Sequence, residues 1–107
     1  MTTETRAFWT VDTKQPWRQP INVMCEVTIG PRQINLVATE RVGGRARFRQ
    51  NRVLFIYGSS AFGTLEAANS RRRYLMREIA ASFYHQTHQY GTWWKVKAQL
   101  EYERRYA

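Results

Sequence analysis

Acidic side chains are scarce in this chain. Eight of them, with Asp12 the sole aspartate, stand against seventeen lysines and arginines. Glu26 and Glu40 fall in separate segments without a paired motif, and no nucleophile elbow or metallohydrolase cluster is present, so the chain is read as non-enzymatic. Cysteine is rarer still. Cys25 is alone, which excludes an intramolecular disulfide, and its place in an apolar alternation predicts a small core residue. His85 and His88 have the i, i+3 spacing that serves a metal only when carboxylates or cysteines converge on it. None follows closely, so no metal and no other cofactor is expected. The sequence also lacks an 18-residue apolar run and a signal-peptide core, which predicts a soluble, cytoplasmic protein with no membrane partner.

What is present argues for one folded domain over residues 1–107. The apolar content is 43%, with fifteen aromatic residues, enough to build a core without metals or disulfides. Residues 1–6 are polar and expected to fray. Residues 12–20 hold two prolines and read as a loop, with Trp17 pinning it to the core.

The segment from Thr64 to Gly91 organises the rest. Leu65, Ala68, Leu75, Met76, Ile79 and Phe83 fall on one side of a helix, with Tyr90 at its far end. Thr64 suits the N-cap, Glu66 the positive end of the dipole and Gly91 the stop. Arg73, Arg77, Tyr84, His85 and His88 occupy the opposite side. Arg72 interrupts the apolar stripe near its centre. The simpler reading is that it snorkels to solvent; the sharper one is that it reaches a ligand or a buried carboxylate such as Glu26 or Glu40.

The flanking segments read as strands. Ala7–Val11 is a short one. Ile21, Val23, Cys25, Val27 and Ile29 alternate with Asn22, Met24, Glu26 and Thr28, the period of a half-buried strand. Gly30-Pro31-Arg32 supplies a turn into Gln33–Arg41, and Gly43-Gly44 a turn into Arg45–Gln50. Arg52–Tyr57 is apolar almost throughout, as in a central strand covered on both faces. Thr92–Tyr102 alternates cleanly, with Trp94, Val96, Ala98, Leu100 and Tyr102 toward the helix and Trp93, Lys95, Lys97, Gln99 and Glu101 facing the other way, and reads as a long last strand. The expected fold is α+β, a mostly antiparallel sheet of about five strands in the order β-β-β-β-α-β, with one long helix on one face.

A net charge of +9, with fourteen of the seventeen cations arginine, points to a polyanionic partner. Arginine's planar fork suits phosphate oxygens and stacks on bases. If Ala46 and Phe48 face the helix, Arg45, Arg47, Arg49 and Arg52, with Trp93, Lys95 and Lys97, decorate the other face of the sheet. Such a face can follow phosphates and stack bases, favouring single-stranded nucleic acid over duplex. Arg73 and Arg77 form the competing surface, a basic helix that could enter a duplex groove. The segment 57–64, with two glycines before a threonine at a helix start, is read as a connector. It lacks the lysine of a phosphate-binding loop. The alternative function is a small phage- or plasmid-type interaction protein that docks on an acidic host surface, using Trp93, Tyr74 and Tyr84 as hot spots. A homodimer is expected through the edge of the last strand.

Overall fold

The computed structural model describes residues 4–39, 53–82 and 90–106. Among these residues five strands precede two helices: β1 (Glu4–Thr10), β2 (Ile21–Ile29), β3 (Ile34–Ala38), β4 (Leu54–Ile56), β5 (Ala61–Phe62), α1 (Leu65–Ala81) and α2 (Tyr90–Tyr106). Every strand pair is antiparallel, in the order β4-β3-β2-β1-β5. The fold is α+β, a curled half-barrel sheet with two helices.

Period-two alternation builds the sheet core. The registers Phe8↔Val23, Cys25↔Ala38 and Leu36↔Phe55 put one apolar row on a common face. With Ala61 these residues form a single buried cluster. Each buried side chain of Val, Leu or Phe size contributes about 1.5–3 kcal/mol by leaving water. Cys25 is fully buried in this cluster, and burial pushes its thiol pKa upward. It is the core residue that its alternation predicts.

Four expectations are corrected. Glu4–Arg6 do not fray; they are the first part of β1, paired to Val27, Glu26 and Cys25. β4 is an outer strand among the described residues, with Leu54 58% exposed, rather than a covered central one. The segment 57–64 is more than a connector. Gly58 takes φ +85°, a left-handed turn that glycine adopts without strain, and the chain returns as β5 to pair with β1. The helix expected over Thr64–Gly91 stops short, and Gly91, its expected end, lies inside α2. Thr64 caps α1, its Oγ1 accepting from the Ala67 amide at 3.1 Å, but α1 ends at Ala81 and the Ser82 amide donates to the Glu78 and Ile79 carbonyls. Phe83, Tyr84, His85 and His88 lie outside the described residues.

The largest correction concerns the last segment. Thr92–Tyr102 is not a strand but the body of α2, which leaves no terminal strand edge for a homodimer. Thr92, Trp93, Val96, Gln99, Leu100 and Glu103 form its covered side, at the three-and-four spacing of a helix packed on a helix. Ala68, Arg72 and Met76 are buried on α1, while Leu75 and Ile79 are half-buried. The start of α2 lies by the end of α1, where the Trp93 indole N–H donates to the Ala80 carbonyl at 3.0 Å. The end of α2 lies by the start of α1, where Glu103 meets Arg72 and Arg73. The helices are therefore antiparallel.

Candidate nucleic-acid interface

Arg72 is 1% exposed, and every part of its guanidinium is used. Nε donates to the Pro16 carbonyl at 2.9 Å, Nη1 to Asn69 Oδ1 at 2.8 Å, and Nη2 to the Trp17 carbonyl and Glu103 Oε2. It does not snorkel. The buried-carboxylate reading holds in kind, but the carboxylate is Glu103 rather than Glu26 or Glu40. Arg73 Nε donates to Glu103 Oε1 at 3.1 Å, and Gln99 Nε2 to Oε2 at 2.8 Å. Burial by itself raises the pKa of Glu103; the Gln99 hydrogen bond and the two arginines outweigh it and hold the carboxyl below its usual range. This cluster ties α1, α2 and the loop 12–20 together. Trp17 is half-buried there, and Asp12 Oδ1 braces the loop by accepting from the Lys14 and Gln15 amides.

The cations left for a ligand are distributed unevenly. Residues 40–52 hold five arginines and one glutamate, and residues 65–106 hold eight cations and four carboxylates, so these two stretches carry +8 of the net +9. Arg45, Arg47, Arg49 and Arg52 lie outside the described residues. Arg73 is spent partly on Glu103, whereas Arg77 is exposed on α1. Lys95 and Lys97 are exposed, but on α2 and not on a sheet face. The Trp93–Ala80 and Arg73–Glu103 contacts set a register that places Arg77 and Lys97 at the same level of the helix pair.

Trp93 is not an open stacking platform. It is half-buried, its N–H is held by Ala80, the Lys97 ammonium lies over its ring at 5.5 Å, and Trp94 meets it edge-on at 4.9 Å. Lys95 likewise lies over Trp17 at 5.6 Å, and the Arg71 guanidinium over Tyr74 at 5.4 Å. These are cation–π contacts made within the protein.

Sequence reasoning missed the exposed aromatics of α2. Tyr102 was expected to face inward with Val96 and Leu100; it is 58% exposed, and Tyr106 72%. Their rings lie 5.1 Å apart, tilted by 43°. Glu101, beside them, accepts from Arg104 Nη2 at 2.7 Å and from Arg105 Nε at 2.9 Å, and these bonds lower its pKa while the same carboxylate raises that of Arg104. The helical spacing of Tyr102 and Tyr106 was the signal that would have found this pair. Among the described residues no three of His, Cys, Asp and Glu converge as metal ligands, and no helix is long and apolar enough to cross a membrane.

No protein-family model, curated protein or solved structure matches the chain.

Proposed function

We propose that this protein is a small basic nucleic-acid-binding protein that acts by holding its ligand rather than by catalysis. The observation that carries the reading is the placement of charge. The sheet of described residues is close to neutral, and the cationic excess belongs to residues 40–52 and to the helix pair. A surface that merely solvates a fold balances its signs; one that neutralises phosphates carries an excess of one sign. Arg77, Lys95, Lys97, Arg104 and Arg105 present that charge on the helices. Arg45, Arg47, Arg49 and Arg52 supply the rest by sequence, without an acidic residue among them.

The test is fluorescence anisotropy with single- and double-stranded probes across a salt series. Binding releases condensed counterions, so log affinity falls with log salt by about 0.7 per phosphate neutralised on a single strand and about 0.9 on B-form DNA. Replacing Arg45, Arg47 and Arg49 with alanine lowers affinity and flattens the slope by roughly two to three units when each meets one phosphate. A wild-type protein that binds neither probe at low salt ends the reading. The alternative, an interaction protein docking on an acidic host surface, then takes its place; exposed Tyr74 beside Arg71 is the observation in its favour.

A further inference from the structure

We infer that the bases of the ligand stack on the outer side of α2, on Tyr102 and Tyr106, and that the ligand is therefore a single strand. The inference rests on the nucleic-acid reading above and names the part of the protein that meets the bases. Lys95, Tyr102 and Tyr106 follow one another at i, i+7 and i+11, so they line one flank of the helix, next to the covered Gln99. The two tyrosines end that flank. They are exposed large aromatics of the described chain, and each rests on the other. Among the described residues no cation lies over either ring, in contrast to Trp93, Trp17 and Tyr74.

The charge around them suits a phosphate chain. Arg104 and Arg105 both engage Glu101, which leaves that trio with one net positive charge. The three side chains are exposed, and exposed pairs of this kind are worth little, so a phosphate oxygen can replace the carboxylate as the arginines' partner at small cost. Lys95 adds a cation two to three turns nearer the start of the helix. Two exposed rings, with Lys95 on the same flank and the Arg104–Glu101–Arg105 trio beside it, match what an unpaired strand offers, bases with free faces and phosphates between them. A duplex keeps its base faces stacked internally and offers such rings nothing to hold.

The experiment measures anisotropy of labelled oligo-dT, oligo-U and a DNA duplex with the full chain and with Tyr102→Ala, Tyr106→Ala and the corresponding phenylalanine variants. Because both side chains are exposed, the variants keep the fold, which circular dichroism checks. The expected result is a loss of single-strand affinity of about 5- to 150-fold per alanine variant, the value of one stacked base, with the salt slope unchanged. The phenylalanine variants keep wild-type affinity, since the ring and not the hydroxyl stacks. Comparison of oligo-dT with oligo-U separates DNA from RNA. Wild-type binding of single strands that the alanine variants leave untouched overturns the inference while the nucleic-acid reading stands, and so does binding confined to the duplex. Binding to neither strand form overturns both.

Discussion

Glu103 holds two arginines and an amide from inside the protein, and that load has a measurable pH signature. Its carboxyl titrates below the usual range in the folded protein. The unfolded chain, with an ordinary glutamate pKa of about 4.3, therefore takes up the proton at a higher pH than the folded one does. Stability is fully present above that value and is lost as pH falls through the folded pKa. Glu103→Gln should remove this part of the acid slope in urea denaturation between pH 2 and 6. Glu101, fully exposed, adds a smaller slope that salt screens. Glu103→Ala leaves Arg72 buried with no counter-charge and should cost roughly 3–5 kcal/mol, whereas an apolar Arg72→Met, Glu103→Leu double variant should cost less than Glu103→Ala alone. A cycle in which the double variant is the worst of the three would contradict this account. None of it could be read along the chain. The stripe placed Arg72 on an apolar face, but its partner stands 31 residues further on, in a segment whose own conformation was misread.

At the scale of elements, β2 and α1 were legible because their periods were unambiguous. Val23 and Cys25 are buried and Asn22 and Met24 exposed, the alternation of a strand; Ala68, Arg72 and Met76 are four apart and carry a capped start. The segment 92–102 failed for a physical reason. Val96 and Leu100 are four apart, and positions four apart share a face in a strand and in a helix alike. Trp94, Ala98 and Tyr102 complete a strand pattern only if exposed aromatics count as core. Helix formers such as Lys97, Ala98, Gln99 and Glu101 agreed with the structure instead. Ala98 is exposed in mid-helix, so Ala98→Gly should cost about 1 kcal/mol and Ala98→Pro about 3 kcal/mol or more, read by thermal denaturation. Met76→Ala should cost about 2–5 kcal/mol, and the half-buried Ile79→Ala less. Of the candidate site, the cationic side chains were legible as types; their placement on a helix pair was not, because it depended on α2.

At the scale of the whole molecule, the fold spans 48 × 28 × 27 Å, and the helix pair meets the sheet along β1 and β5, to one side of the buried sheet cluster. A structure built this way relies on ties between its parts. The loop 12–20 joins β1 to β2, yet its Pro16 and Trp17 carbonyls are held from α1. Opening of that loop and departure of the helices are therefore one cooperative event rather than two. Native-state hydrogen exchange should report it. The Gln15 and Arg18 amides, bonded within the loop to Asp12 and Gln15, should exchange with the same opening free energy as the amides in the middle of α1. In Arg72→Met the loop amides should exchange much faster than those of α1, while the β2 amides facing β1 keep their protection. A single guanidinium thus decides whether this small domain breathes as one body or as separate pieces.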